Sequence, residues 1–273
     1  MIEFTKMSGS GNDFILIDNR TQALQVPDIT AFVQTVCTRK IAVGADGLIL
    51  IEPSDRVDFR WRFFNADGSE VEMCGNGGRC AARFAFLKGI AKERMSFETG
   101  AGVIDAEVRG EVVKLRLTDP RDLAINQSLT VDGKSLEVHS INTGVPHVVH
   151  FVNDLEHTDV FHLGRMLRHH AQYQPAGTNA NFVAAIDPHA LEIRTYERGV
   201  EDETLACGTG AVASALISAW KGLVESPVGV RVRSGETLCI HFTKKAGGFE
   251  KIYLEGRAKV VYEGRLWEEA YRP

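Results

Sequence analysis

One pattern occurs twice in this chain, and it constrains the fold more than any other feature of the sequence. Arg62-Phe63-Phe64-Asn65 stands 12 residues before Cys74, counted from Arg62, and Arg194-Thr195-Tyr196-Glu197 stands 13 before Cys207, counted from Arg194. Cys74-Gly75-Asn76-Gly77 then aligns with Cys207-Gly208-Thr209-Gly210, and an Ala-rich stretch follows each. Further upstream, Gly11-Asn12-Asp13-Phe14 and Val145-Pro146-His147-Val148 each lead into an apolar strand. A unit this long, present only twice, makes no solenoid. It implies two similar domains, which 273 residues accommodate at ordinary domain size. The boundary is expected at Thr118-Asp119-Pro120-Arg121, giving a first half over 1–119, a second over 120–263, and a tail, 264–273, that returns to the first half.

Within each half, short alternating β-branched segments are separated by Gly, Asn and Asp turns. Phe14–Asp18, Gly47–Ile51, Phe59–Phe64, Val103–Arg109 and Val112–Thr118 read as strands in the first half. Val148–Val152, Asn181–Ile186, Leu191–Glu197, Val228–Val232, Leu238–Phe242 and Ile252–Tyr262 do so in the second. Helical patterns are fewer: Asp28–Thr38, then Gly78–Lys88 and Gly210–Lys221 directly after the glycine clusters. The last two carry Phe, Leu or Val among alanines on every side, as helices buried nearly all round do. The expected class is α+β, with many strands around one central helix, twice.

A net charge of −5 and scattered basic residues exclude the electrostatic footprint of a nucleic-acid binder. Met1-Ile2-Glu3-Phe4 runs straight into strand alternation, and the longest apolar runs fall well short of a membrane span. A cytoplasmic protein is expected. The 5 cysteines are an odd number with no C-x-x-C pair, so in a reducing compartment they act through reactivity or packing rather than as disulfides.

Two of them stand at helix starts. A helix N-terminus offers unpaired N–H groups and partial positive charge, which favours a thiolate and makes a ready anion site for a carboxylate. Suppose that both helix starts serve one bound α-amino acid, with a sulfur on each side of its α-carbon. Inverting that centre by deprotonation needs a base on one face and an acid on the other, and a thiolate–thiol pair supplies both. The carbanion that forms needs strong electrostatic stabilisation, which convergent helix dipoles provide.

Met73-Cys74-Gly75-Asn76-Gly77-Gly78-Arg79 and Ala206-Cys207-Gly208-Thr209-Gly210-Ala211 resemble the paired motifs of the diaminopimelate epimerases. The likeness extends to Ser10-Gly11-Asn12-Asp13-Phe14, Gly44-Ala45-Asp46-Gly47, Phe64-Asn65-Ala66-Asp67-Gly68, Thr178-Asn179-Ala180-Asn181-Phe182 and Tyr196-Glu197-Arg198-Gly199. The resemblance implies two pseudo-symmetric domains, each a β-barrel-like antiparallel or mixed sheet wrapped around a central helix. It implies interconversion of LL- and meso-diaminopimelate in lysine and cell-wall precursor synthesis, without cofactor or metal, by a cytoplasmic homodimer with no nucleic-acid or membrane partner. Cys74 and Cys207 would be the acid–base pair. Asn12, Asn65, Asn179 and Arg198 would hold chiefly the distal end of the substrate, with Glu197 beside them. Gly75-Asn76 and Gly208-Thr209 would hold the reacting carboxylate, and His147 and Glu197 would tune the thiols. The chain departs from the family pattern at Val145, where Asn is common, at Gly47, where Gln is common, and in one extra residue between Arg198 and Cys207.

Other readings of the same residues are a proline racemase-like enzyme of the same fold, a thiol redox protein pairing Cys74 with Cys207, and a non-catalytic amino-acid binder. Cys37, Cys80 and Cys239 read as inert packing cysteines. His157, His162, His169 and His170 read as a solvated helical surface rather than a metal site.

Overall fold

In a computed structural model, which describes residues 1–22 and 24–271, the chain divides into two compact units, Met1–Leu115 with Gly256–Pro273, and Arg116–Glu255. In chain order the first contributes β1 (Ile2–Gly9), β2 (Asn12–Asp18), α1 (Ile29–Cys37), β3 (Gly47–Glu52), β4 (Phe59–Asn65), β5 (Glu70–Val71), α2 (Gly75–Leu87), β6 (Arg94–Thr99), β7 (Gly102–Arg109) and β8 (Val112–Arg116). The second contributes β9 (Arg121–Val131), β10 (Lys134–Asn142), β11 (Pro146–Phe151), α3 (Val160–Arg168), β12 (Asn179–Asp187), β13 (Ala190–Glu197), β14 (Asp202–Thr204), α4 (Gly208–Trp220), β15 (Val228–Arg231), β16 (Thr237–Lys245) and β17 (Gly248–Arg257). The chain then returns to the first unit as β18 (Lys259–Leu266).

The ladders repeat one topology. In the first unit β1 pairs antiparallel with β2, β2 parallel with β3, β3 antiparallel with β4, and β4 antiparallel with β5 and parallel with β6, which leads antiparallel into β7 and β8. In the second, β10, β11, β12, β13, β14, β15, β16 and β17 follow the same sequence of directions. Even the outer edge is matched: β18 pairs antiparallel with β1, and β9 with β10. Mixed sheets around a central helix, twice, are what the duplicated sequence requires.

α4 is buried because its sequence is almost wholly apolar or small, whereas α2 is buried with its polar Asn76 and Arg79 hydrogen-bonded. In α4 every residue from Gly210 to Ala219 is buried, and α2 buries Asn76 to Ala82 with Phe84 and Ala85. α2 packs on β1, β2, β3 and β7, and α4 on β10 to β13, β15 and β16. The apolar core of the second unit joins Val212, Leu216 and Ile217 of α4 to Val149, Val183, Ile193, Val230 and Ile240 of the strands. Among the described residues no helix is long and apolar enough to cross a membrane.

Three expectations change. The returning segment begins at Gly256 rather than 264, because β18 covers β1 along almost its whole length, from Ile2 opposite Leu266 to Ser8 opposite Lys259. Without it the backbone groups along that edge of β1 lack partners. The expected single strand Ile252–Tyr262 is therefore two, β17 and β18, parted at the buried Ala258, whose N–H is held by the Glu111 carbonyl. Cys239 is half-buried rather than buried in the core: on β16 its neighbours Leu238 and Ile240 point inward, so it points away. Cys37 and Cys80 are buried as expected, and burial pushes the Cys37 thiol up to about 12.

Candidate active site

Each unit carries one of the two motif cysteines at the start of its central helix. In the first unit Cys74 is the N-cap of α2, in extended conformation, and its sulfur accepts the Gly77 N–H at 3.5 Å. The cysteine thus takes the position where a side-chain acceptor satisfies one of the helix's orphan donors. Gly9 of β1 passes so close that a Cβ there would stand 2.9 Å from the Asn76 carbonyl oxygen, so this strand and the helix start are locked together.

The amides around Cys74 are oriented by fixed charges at both ends of a chain of hydrogen bonds. Arg79, fully buried, donates to Asn76 Oδ1 at 2.9 Å and to the Ser10 hydroxyl at 2.5 Å. A guanidinium only donates, so Asn76 must present its oxygen to Arg79 and its nitrogen elsewhere. Asn76 Nδ2 donates to Asn12 Oδ1 at 2.6 Å, and Asn12 Nδ2 to the Asp46 carboxylate at 3.1 Å. Arg39 and Lys6 anchor the far end. Burial raises the Asp13 carboxyl, but hydrogen bonds from Arg39 and Lys6 outweigh it and hold the group at about 2, while Arg39 also bridges to Asp46 at 2.9 Å. Both asparagine amides are therefore set in direction, and each keeps one N–H that none of these bonds uses. Asn65 lies apart from this chain, exposed at the end of β4, with its Nδ2 on the Ser69 hydroxyl at 3.3 Å.

In the second unit Cys207 is the N-cap of α4, buried, with its sulfur 3.6 Å from the Thr209 hydroxyl. Its thiol also hydrogen-bonds to Glu197. Burial raises the Glu197 carboxyl above the usual range, with the bonds from Thr204, at 3.0 Å, and from Cys207 acting against that rise. The Thr209 carbonyl is held by Thr143 at 3.1 Å, so the first turn of α4 is braced from β10's end. Asn179 caps the neighbouring turn: its Oδ1 takes the Arg198 N–H at 2.8 Å and its Nδ2 reaches the Pro146 carbonyl at 3.2 Å. The Arg198 guanidinium donates to the Ala176 carbonyl at 3.1 Å.

His147 is buried at 1 % exposure, and its protonation state follows from its neighbours. Asn181 accepts at Oδ1 from the Thr195 hydroxyl, 3.0 Å, and donates through Nδ2 to the Val148 carbonyl, 2.9 Å. That amide direction presents N–H to His147 Nδ1 at 3.2 Å, so Nδ1 accepts and the ring is a neutral imidazole with its proton on Nε2. Desolvation first, and the Arg198 charge second, lower its pKa to about 3. Nε2 is buried with no hydrogen-bond partner among the described residues.

Acid stability follows from the same histidine. The folded chain binds its proton only near pH 3, whereas the unfolded chain binds it near the ordinary value of 6.5. The stability contributed by neutral His147 is thus whole above 6.5 and is lost as pH falls towards 3, at up to ~1.4 kcal/mol per pH unit. His139, lowered to about 4 by burial and by Lys221, acts in the same direction. Urea unfolding at pH 7 and pH 5 is expected to show this loss, and His147→Asn to lower the slope by about one proton. An unchanged slope would contradict the buried neutral ring.

The family model for diaminopimelate epimerase matches residues 4–121 and 139–261, spanning both cysteine motifs. The chain belongs to the diaminopimelate epimerase family. It is 50% identical to the diaminopimelate epimerase of Aquifex aeolicus, over 98% of this chain and 99% of that one. It is 47% identical to that of Chlorobaculum tepidum, over 95% and 99%, and 41% identical to that of Archaeoglobus fulgidus, over 97% and 96%. The fold is shared more widely. A Bacillus anthracis phenazine biosynthesis protein of the PhzF family superposes with a TM-score of 0.77 at 16% identity, covering 97% of this chain and 99% of that one. A probable proline racemase from Agrobacterium radiobacter gives 0.72 at 14%, covering 100% and 95%.

Of the residues expected to act in a diaminopimelate epimerase, Asn12, Asn76 and Cys74 gather at one helix start, and His147, Asn179, Glu197, Arg198, Cys207 and Thr209 around the other. The residues that orient them are Arg79, Ser10 and Asp46 in the first unit and Asn181, Thr195 and Thr204 in the second; all but Thr204 stand in the sequence motifs, which gave them no role. One signal was present. Asn181, at 0% exposure, stands inside an otherwise apolar strand, where a buried amide must be hydrogen-bonded and therefore has a specific partner. The departure at Gly47 also has a cause in the fold: a Cβ there would meet the Phe64 carbonyl oxygen at 2.5 Å and the Phe63 ring at 2.6 Å, so no side chain fits.

Proposed function

We propose that this chain interconverts LL- and meso-diaminopimelate by moving the α-proton between Cys74 and Cys207, each acting as base in one direction and as acid in the other. The observation that carries the reading is the duplication of one device: in each unit a cysteine is the N-cap of the buried central helix, followed by a turn of Gly, Asn or Thr. The relatives named as diaminopimelate epimerases at 41–50% identity support the substrate.

In this reading the thiolate removes the α-proton from one face while the other thiol delivers a proton to the opposite face. The carboxylate of the reacting centre lies on the amides of Gly75-Asn76 and Gly208-Thr209, where helix N-termini stabilise the charge that builds up. Glu197 accepts a hydrogen bond from the Cys207 thiol and so favours the state in which that sulfur keeps its proton. His147, neutral, offers Nε2–H as a donor to a developing thiolate. The directed amides of Asn12 and Asn179, with Asn65 and the Arg198 guanidinium, take the distal amino-acid end; a second carboxylate suits Arg198. No cofactor enters this chemistry. We further propose a cytoplasmic homodimer, as the family resemblance implies.

The test is incubation with LL-diaminopimelate in D₂O, without added cofactor. Deuterium at the α-carbon together with the meso isomer is expected. No exchange by the folded, reduced protein sinks the reading, and turnover of proline in its place moves the chain to the racemase alternative.

A further inference from the structure

We propose that Cys239, His241 and Glu255 form a binding site for one thiophilic divalent cation, of the Zn²⁺ class, on the face of the second unit's sheet that points away from α4. The three side chains come from one antiparallel pair. Cys239 stands directly opposite Glu255 across β16 and β17, and His241 is two residues along β16 from Cys239, so all three project from the same face. The opposite face holds them rigid: Leu238, Ile240, Ile252 and Leu254 are each 0% exposed in the core with α4. On the other side of β16 the residue opposite Cys239 is Gly229, so no side chain of β15 stands directly beside the thiol.

The ligand atoms already lie close. Sγ, an imidazole nitrogen and a carboxylate oxygen are all within 4.8 Å of one another, and His241 Nε2 is 3.4 Å from Glu255 Oε2. Around tetrahedral zinc, with bonds of about 2.0–2.3 Å, ligand atoms stand about 3.3–3.8 Å apart. The nitrogen–oxygen pair has that separation now, and with every pair within 4.8 Å the sulfur needs to move by no more than about 1.5 Å to reach it. Each residue is half-buried, so the fourth position stays open to water. Among the described residues this is the one group of three such ligands. The exposed histidines near α3 pair singly with carboxylates instead, His162 with Asp132 and His169 with Glu201.

The donor set decides the kind of metal. Thiolate and imidazole disfavour Mg²⁺ and Ca²⁺, which take oxygen ligands at six or more positions, and favour Zn²⁺ and its neighbours. Binding releases the thiol proton, and the thiolate and carboxylate balance the cation's charge. The site clamps β16 to β17 and takes no part in proton transfer at Cys74 or Cys207, so it does not depend on the reading of the reaction.

The probe is Zn²⁺ itself, titrated into chelator-stripped, reduced full-length protein carrying Cys74→Ala and Cys207→Ala, so that the helix-start thiols cannot bind it. One equivalent retained against a chromophoric chelator is expected, with a higher melting temperature; Co²⁺ in its place should show thiolate-to-metal charge transfer. Cys239→Ser is expected to abolish both the retained equivalent and the charge-transfer band, and Glu255→Gln to weaken binding at least tenfold while the apo circular dichroism stays unchanged. Retention of the equivalent by Cys239→Ser overturns the site, as does failure of the Cys74→Ala, Cys207→Ala protein to hold Zn²⁺.

Discussion

Replacing Cys74 or Cys207 by Ala should abolish epimerisation, lowering kcat by about 10³-fold or more, which corresponds to ~4 kcal/mol of transition-state stabilisation. The loss should be similar for the two variants, because inversion needs a donor and an acceptor on opposite faces and either variant lacks one. Their residual chemistry should differ. A lone thiolate can still remove the α-proton from its own face and return a deuteron to that face. Each variant is then expected to exchange one stereoisomer only, with retention, and the two variants should choose opposite isomers. Exchange of both stereoisomers by either variant would show that a base other than these cysteines reaches the α-carbon. Stability should change little at Cys74, which is half-buried, and more at the buried Cys207. Each variant's kcat is therefore best measured well below its own melting temperature.

The strands and helices that the sequence announced were those with strong patterning on one or both faces. β3, entirely buried, and α4, buried from Gly210 to Ala219, were legible because burial on every side leaves a continuous apolar run, and α2 by its alanines and phenylalanines after the glycine cluster. β9 and β10 were not. Arg121–Val131 alternates exposed and half-buried residues with only Leu129 and Val131 buried, and Asp122 and Asn126 adopt positive φ, so its apolar period is broken. β10 carries two irregularities in its register with β9, between Val138 and Ser140 and between Ser140 and Asn142, which displace the period again. Site residues divide in the same way. Cys74 and Cys207 were visible because each stands in a repeated glycine-rich motif at a helix start. The roles of Arg79, Asp46, Asn181 and Thr195 were not, because what they supply is direction to a neighbouring amide, and that depends on contacts far apart in the chain: Asn181 meets His147 across 34 residues and Arg79 meets Ser10 across 69. The charges of Arg79 and Asp46 in the first unit, and the Thr195 hydroxyl and Val148 carbonyl in the second, determine which way Asn76, Asn12 and Asn181 face.

Gly210→Ala should cost far more than Gly77→Ala, although the two glycines hold the same place, three residues after the cysteine that caps the helix. A Cβ at 210 would stand 2.3 Å from Asn181 Oδ1 and 3.3 Å from the sulfur of Cys207. Asn181 cannot yield cheaply: its amide is fixed by Thr195, Val148 and His147, all buried, and moving it strands polar groups away from water. Each stranded group costs about 1–3 kcal/mol, in addition to about 1–3 kcal/mol for overpacking. A loss of about 3–4 kcal/mol in urea unfolding is therefore expected. Because the displaced amide is the one that sets the tautomer of His147, and because the sulfur itself is pushed, kcat should fall by about 10²-fold as well. At Gly77 the added methyl would meet Ile49 Cδ1 at 3.3 Å, Trp61 Cζ3 at 3.4 Å and Cys74 Cβ at 3.6 Å. The nearest of these is the end of an aliphatic side chain with no hydrogen bond to lose, and Ala gains about 1 kcal/mol over Gly inside a helix. Stability there should stay within about 1 kcal/mol and activity within a few-fold. Equal effects at the two positions would mean that the Asn181 amide does not orient the residues around Cys207. The expected asymmetry makes the polar support of Cys207, absent at the equivalent apolar position beside Cys74, the feature that distinguishes the two otherwise repeated helix starts.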